Sequence, residues 1–298
     1  MDVMILGPGL GKDDLIMRTV ASWLEKHAAG PKLDASSSSG SSSPPPPPCP
    51  VVLDGDALHM LTDYASASVT HGAFSPRMIL TPNAMEFRRL WTRFMRSGGG
   101  NGGSGGEAPP PPDFSVAIDP AWLEANPGGG VIPTDHPYAR DTAALARALH
   151  GATVVRKGSV DVISDGTAAA IVTTEGSPRR VGGQGDLLAG ATGMFLTWTK
   201  LRTERMRKEQ ERRKQSKDAG SEAASSSSAS PLPDSLLSAY CASQFGRALQ
   251  RSAYASHGRS MLASNLIESI PAVMHQMFPL DGVHIDAADD KGTRKHKL

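Results

Sequence analysis

The segment RRVGGQGDLLAGATGMF, residues 179–195, strips its side chains away where a helix begins: Gly182, Gly183 and Gly185 surround Gln184, and Asp186 follows in the first turn. Glycine is costly at a helix entrance, so three of them imply that something approaches the backbone closely. The first N–H groups of a helix lack internal partners and lie at the positive end of its dipole. Together these features make an anion site whose usual guest is phosphate. The plainer alternative is a glycine turn that lets a helix pack tightly on a strand. Asp186 could accept the proton of a substrate hydroxyl as that oxygen attacks phosphorus. The N–H groups of Gly183, Gln184 and Gly185 would then stabilise the transferring phosphoryl oxygens, one such donor being worth roughly 3 kcal/mol in a transition state. As a mere helix cap the aspartate would contribute roughly 0.5–2 kcal/mol.

Other residues of this kind recur at the ends of apolar runs. Residues 3–6 lead into Gly7-Pro8-Gly9-Leu10-Gly11-Lys12, and 51–53 into Asp54-Gly55-Asp56. Residues 78–80 lead into Thr81-Pro82-Asn83-Ala84-Met85-Glu86, and 153–156 into Lys157-Gly158. Lys157 suits a nucleotide phosphate as a point charge, or is an ordinary surface lysine. Asn83 offers an amide that both donates and accepts. Glu86 is either a ligand for ring or ribose polar groups or a first-turn helix acid. Asp54 and Asp56 either order Mg²⁺ through water or shape a turn. The glycines of 7–11 fit neither the P-loop nor the dinucleotide fingerprint, where Lys12 would have to be the third glycine; they could also be only a tight turn.

Positioning these groups requires alternating strands and helices. Strands are predicted at 3–6, 51–53, 78–80 and 153–156, and helices at 15–26, 57–61, 84–95 and 138–149. Strands at 161–164 and 168–173 flank Asp165-Gly166, a hairpin signal; helices follow at 187–200, 236–256 and 262–277. Continuous apolar strands between amphipathic helices predict an α/β fold, a mostly parallel central sheet covered on both faces. In such sheets ligands bind beyond the carboxyl ends of the strands, so the motifs should converge on one rim. A single domain over 1–298 is expected, interrupted by serine-, proline- and glycine-rich tracts at 35–48, 97–112 and 214–233. Such compositions bury too little apolar surface to order, and they are read as disordered insertions.

The chain has 298 residues, 39% hydrophobic, and a formal net charge of +1, which gives no case for nucleic acid as a partner. The basic stretch 202–217 is interleaved with Glu204, Glu209 and Glu211 and reads as a solvated helix. Cys49 and Cys241 have no metal-ligand spacing, no run is apolar enough to span a membrane, and no signal-peptide pattern follows Met1.

The motifs GPGLGKDD (7–14), LDGDALHML (53–61), LTPNAMEFRRL (80–90), RKGSVDVISDG (156–166), SPRRVGGQGDLLAG (177–190) and HGRS (257–260) stand in one order across nearly the whole chain. As a set they resemble the ATP-dependent (S)-NAD(P)H-hydrate dehydratases, repair enzymes of the carbohydrate-kinase-domain type in the ribokinase-like superfamily. The resemblance implies that ATP phosphorylates the hydroxyl of a hydrated nicotinamide ring, and that phosphate then leaves to regenerate NADH or NADPH. It implies ATP and Mg²⁺ as cofactors, no nucleic acid or membrane partner, and an oligomeric state left open, a homo-oligomer included. By motif, the hydrated dinucleotide would meet Gly9, Gly11, Asn83, Ala84, Met85, Glu86, Phe87, Arg88, Arg89 and Asp186. ATP would be held by Lys157, Gly158, Ser159, Val160 and Asp161, and by Gly176, Ser177, Pro178, Arg179, Arg180, Val181, Gly182, Gly183, Gln184 and Gly185. Asp186 would be the base, and no metal ligand is assigned. The helix break at 257–260 suits packing near the nucleotide edge. Family members carry further strand and helix units before the segment matching 3–6, so the chain is expected to be incomplete at its N-terminus. A small-molecule kinase of the same superfamily and a non-catalytic nucleotide-binding remnant are the alternatives.

Overall fold

Residues 3–29, 48–66, 69–70, 75–96, 110–112, 118–217 and 232–279 are described by a computed structural model of the chain. The elements run β1 (Met4–Leu6), α1 (Asp14–Ala29), β2 (Val51–Leu53), α2 (Asp56–Asp63), β3 (Met78–Leu80) and α3 (Ala84–Arg96). Then come α4 (Pro120–Ala125), β4 (Gly130–Ile132), α5 (Arg140–Ala148), β5 (Thr153–Arg156), β6 (Asp161–Ser164) and β7 (Ala169–Val172). Four helices close the sequence: α6 (Gln184–Lys217), α7 (Asp234–His257), α8 (Ala263–Glu268) and α9 (Ile270–Met277).

The strands form one seven-stranded sheet in the order β1-β2-β3-β5-β6-β7-β4. From β1 to β5 the neighbours are parallel, with Val51 beside Met4 and Ile79 beside Thr153. From β5 onward they are antiparallel, with Val155 opposite Ile163 and Val131 opposite Ala170. β2 and β3 are buried on both faces, which is why their sequences are unbroken apolar runs rather than alternating ones. Successive side chains serve opposite layers. Val51, Leu53, Met78 and Leu80 pack with Met17, Leu24, Phe87 and Leu145 from α1, α3 and α5. Val52 and Ile79 face the other way, onto Ala189 and Leu196 of α6 and Leu236 and Ala239 of α7. This is the α/β sheet with helices on both faces expected from the sequence, and the hairpin adds its antiparallel portion where Asp165-Gly166 marked it.

Three features differ from the expectation. β4 and α4 were not foreseen; α4 opens at Asp119-Pro120, where the Asp119 carboxylate accepts from the Ala121 N–H at 2.9 Å. The single helix expected over 262–277 is two, α8 and α9, because Pro271 has no N–H to continue the first and falls in the opening turn of the second. The helix expected over 187–200 runs on to Lys217, so the tract that starts at Lys214 is helical for its first residues. Positions 35–47, 97–109 and 218–231 of the three low-complexity tracts lie outside the described residues.

Candidate active site

Parallel packing of β1, β2, β3 and β5 brings their carboxyl ends side by side. Gly7, at the exit of β1, has φ +121° and lies against the exit of β2: a Cβ there would stand 1.7 Å from the Asp54 carbonyl oxygen. No residue but glycine fits. The Leu10 N–H then donates to the Gly7 carbonyl at 3.1 Å, closing the turn, and the Gly11 N–H donates to the Asp56 carboxylate at 3.0 Å. Asp56 thus serves the turn. Asp54 is almost fully buried, and its Oδ1 accepts from the Thr81 hydroxyl at 2.6 Å and from the Lys157 ammonium at 2.8 Å. One carboxylate therefore links the ends of β2, β3 and β5.

The glycine segment comes to the same point. A Cβ on Gly185 would lie 3.0 Å from Asp54 Oδ2 and 3.6 Å from Lys157 Nζ, so the start of α6 rests on the ion pair. Gly183 has φ +89° and sits beside Ala263 at the start of α8. The Gln184 N–H points to the Val181 carbonyl at 3.4 Å and its amide Nε2 to the Arg179 carbonyl at 3.4 Å. Asp186, on the first turn of α6, is exposed and makes no hydrogen bond or ion pair among the described residues. The capping role open to it is not used.

The TPNAMEF segment folds into the start of α3. Asn83 Oδ1 accepts from the N–H groups of Met85 (2.9 Å) and Glu86 (3.0 Å), and Glu86 Oε2 accepts from the Asn83 N–H at 2.8 Å. This reciprocal pair is a capping box, and it leaves the Asn83 Nδ2 group for other partners. Ala84, Met85, Arg88 and Arg89 are exposed. Phe87 is not: it is fully buried in the core, stacked on Trp91, and the substrate contact expected of it is corrected to packing. The rotation of the helix, about 100° per residue, turns Phe87 inward from the outward face on which the other candidates lie.

An open cleft of about 90 Å³ lies between these parts, lined by Lys12, Gly55, Asp56, Leu58, His59, Glu86 and Arg89. Burial pushes the Glu86 carboxyl above its ordinary range, and the Asn83 N–H and the Lys157 charge oppose that shift in part. Lys12 and His59 were missed as site residues. Both stand within quoted motifs, Lys12 directly after Gly11 and His59 one helical turn beyond Asp56, and that spacing was the signal that could have found them. His59 is oriented by Asp63, its Nδ1 lying 3.1 Å from the carboxylate.

On the antiparallel side, the loop from Lys157 to Asp161 turns under a buried arginine of α7. Arg247 Nε and Nη2 donate to the two Asp161 carboxylate oxygens at 2.9 and 2.8 Å. Nη1 also donates to the carbonyls of Ser159 (2.8 Å) and Thr174 (3.1 Å), and Nη2 to that of Gly158 (3.0 Å). Asp161 is therefore consumed within the protein, and the side chain of Val160 is buried in the sheet's outer layer. Gly158 and Ser159 are exposed. Gly176 lies against Gln250, Ser177 donates to the Arg179 carbonyl at 2.6 Å, and Pro178, Arg179 and Arg180 are exposed. A second open cavity, about 530 Å³, adjoins this side; Thr173, Thr174, Glu175, Gln244 and Arg251 are among its walls.

Carboxylate, lysine and helix terminus thus meet at the ends of parallel strands of one α/β sheet, the fold class expected from the sequence. Residues 134–272 match the Carb_kinase family model, described as NAD(P)H-hydrate dehydratase. The chain is similar to proteins named ATP-dependent (S)-NAD(P)H-hydrate dehydratase. It is 28% identical to that of Ciona intestinalis over 92% of its own length and 54% of the relative's. It is 28% identical to that of Homo sapiens over 93% and 58% of the two chains, and 30% identical to that of Rattus norvegicus over 93% and 59%. The chain thus spans little more than half the length of these relatives. Among solved structures, the fold is shared with hypothetic protein SMU.573 from Streptococcus mutans, at a TM-score of 0.50 and 18% identity over 93% of this chain and 66% of that one.

Proposed function

We propose that the chain carries out the ATP-dependent dehydration of the S-epimer of hydrated NADH or NADPH. The observation that carries this reading is the junction at Gly185, where the opening of α6 meets the Asp54–Lys157 pair at 3.0 and 3.6 Å. It supports a phosphoryl site between two groups of candidate contacts, the cleft of Glu86 and Arg89 on one side and the 157–161 loop on the other. The names of the relatives supply the substrate class and the nucleotide.

In this reading the ring hydroxyl is presented to Asp186, whose carboxylate has no competing partner among the described residues and takes the hydroxyl proton as the oxygen attacks the terminal phosphorus of ATP. The N–H groups of the first α6 turn and the Lys157 ammonium face the charge that develops on the phosphoryl oxygens. ADP leaves. The carbon–oxygen bond to the new phosphate then breaks, and a proton leaves the neighbouring ring carbon, restoring the reduced ring. Phosphate is the better leaving group, so one site serves both steps.

Asp54 Oδ1 is occupied by Lys157 and Thr81, Asp56 by the Gly11 N–H, and no three ligating side chains converge among the described residues. Magnesium in this reading enters on the nucleotide phosphates, as it commonly does, and no protein step depends on it.

The test is absorbance at the reduced-nicotinamide band with hydrated NADPH, ATP and Mg²⁺, with Asp186→Asn alongside. A rise that requires ATP and is lost in the variant supports the reaction and the base together. Accumulation of a stable phosphorylated product would favour a small-molecule kinase instead. ATP binding with neither outcome would favour a non-catalytic remnant.

A further inference from the structure

Arg247 is the most heavily engaged side chain outside the groups given a role above. It is 8% exposed, and its partner Asp161 is 6% exposed. The guanidinium spends its donors on a bidentate carboxylate and on three main-chain carbonyls, those of Gly158, Ser159 and Thr174. A buried ion pair of this kind adds little net stability, because desolvation offsets its attraction. A planar fork satisfied in this way fixes geometry. What it fixes here is the loop that follows the seam strand β5 and the start of the segment that follows β7.

The consequence follows from peptide planarity. No peptide bond among the described residues is cis, so each carbonyl points opposite the N–H of the next residue. Turning the carbonyls of Gly158 and Ser159 onto Arg247 turns the N–H groups of Ser159 and Val160 away from α7. The loop's remaining N–H groups are already spent: that of Gly158 donates to Asp161 Oδ1 at 3.2 Å, and that of Lys157 to the Pro82 carbonyl at 2.9 Å. The N–H groups of Ser159 and Val160 have no partner among the described residues. Two adjacent donors held in one orientation, two residues from the Lys157 ammonium, are suited to an oxyanion.

We propose that Arg247 is a positioning residue for the nucleotide: by drawing in the carbonyls of Gly158 and Ser159 it presents the N–H groups of Ser159 and Val160, with Lys157, to the phosphates of ATP. The inference rests on the nucleotide-binding reading of the 157–161 loop. It adds a residue distant in sequence that touches neither ligand nor reacting atoms.

The experiment measures binding of a non-hydrolysable ATP analogue by calorimetry to the full chain, its Arg247→Lys variant and its Arg247→Ala variant, each with a thermal unfolding curve. Lysine keeps the charge beside Asp161 but cannot span the carboxylate and the carbonyls together. Arg247→Lys is expected to remain folded and to bind the analogue about tenfold or more weakly, the scale of a lost hydrogen bond to a charged group. KM for ATP should rise by the same factor, while kcat and KM for the hydrated dinucleotide stay within about twofold. Added guanidinium ion at millimolar concentration should recover part of the analogue affinity of Arg247→Ala; if that variant does not fold, amide chemical shifts of Ser159 and Val160 in Arg247→Lys serve instead and should move. If wild type binds the analogue and Arg247→Lys binds it equally despite a lower Tm, Arg247 is only structural and the proposal is overturned while the nucleotide reading stands. If wild type does not bind the analogue, the nucleotide reading falls and takes the proposal with it.

Discussion

Replacing Gly185 with alanine separates the stability of the fold from the chemistry of the site. Gly185 lies in the first turn of α6 with no positive φ, so alanine is conformationally acceptable there. In a helix interior the exchange would add up to about 1 kcal/mol of stability, and less in a first turn. Against this, the new methyl would stand 3.0 Å from Asp54 Oδ2. Asp54 cannot simply swing aside, because its other oxygen is held at 2.6 Å by Thr81 and at 2.8 Å by Lys157. A shift of a few tenths of an ångström stretches both bonds and forfeits part of the roughly 1.5–3 kcal/mol that hydrogen bonds to a charged group supply. The two effects nearly cancel, leaving a net change within about 1 kcal/mol, or roughly 2–4 °C in Tm for a domain of this size. Turnover is a different matter. The displaced Asp54 carries Lys157 with it; misplacing a catalytic constellation by about 1 Å costs on the order of 10²-fold, so a shift of a few tenths of an ångström costs roughly five- to tenfold. Gly185→Ala should therefore keep its Tm within those few degrees and lose roughly five- to tenfold in ATP-dependent formation of the reduced nicotinamide chromophore. Activity within about threefold of wild type would refute the reasoning, and so would a loss of activity that merely follows a collapse of Tm.

Lys157→Met leaves the buried Asp54 carboxylate with only the Thr81 hydroxyl, and denaturant titration should show a loss of about 3–5 kcal/mol; the double variant Asp54→Leu/Lys157→Met should regain much of that stability and none of the activity. Gly7→Ala places a Cβ 1.7 Å from the Asp54 carbonyl oxygen at φ +121°, and since backbone cannot yield cheaply the variant should lose more than about 4 kcal/mol or fail to accumulate as soluble protein. Glu86 retains its proton to a higher pH in the fold than in the unfolded chain, because burial raises its value. The native state then holds more protons across that window, so stability should fall as pH rises from the ordinary glutamate range through the raised value, then level off. Glu86→Gln keeps an oxygen for the Asn83 N–H and should flatten that slope in thermal melts across the same pH range.

The parallel half of the sheet was legible because its strands are buried on both faces, which makes each an apolar run cut off sharply by glycine, carboxylate or amide. The strand-end rule then brought Asp54, Lys157 and Gly185 to one place without any knowledge of their contacts. β4 escaped notice because it is a half-exposed three-residue edge strand that opens on the last of three glycines and, among the described residues, pairs only with β7. Phe87 was misplaced because a motif gives positions in a chain and not faces of a helix; the 3.6-residue period turns it inward between Glu86 and Arg88. Glu86 carries two duties that one letter cannot separate, as part of a cap and as a wall of the cleft. Arg247 left no local trace at all, being a single arginine in the middle of α7 whose partner Asp161 lies 86 positions earlier.

The change of strand direction at β5 also orders events in time. β5, β6 and β7 follow one another through short connections; in the second, Asp165 accepts from the N–H groups of Thr167 and Ala168, both at 2.8 Å. Their pairing closes small loops. β1, β2 and β3 pair only across long crossovers, and the low-complexity tract before β2 lengthens one of these. Each doubling of such a loop costs only about 0.6 kcal/mol in stability, but pairings distant in sequence slow folding far more than they weaken the product. Sequence separation predicts that the meander and the β1-β2-β3 unit each pair within themselves first and that the β3–β5 seam joins them last, since Ile79 meets Thr153 across a longer stretch of chain than separates Met4 from Val51 or Val51 from Met78. The rim that holds Asp54 against Lys157 spans that seam, so the site is expected to be complete only once the most sequence-distant of the parallel pairings has formed.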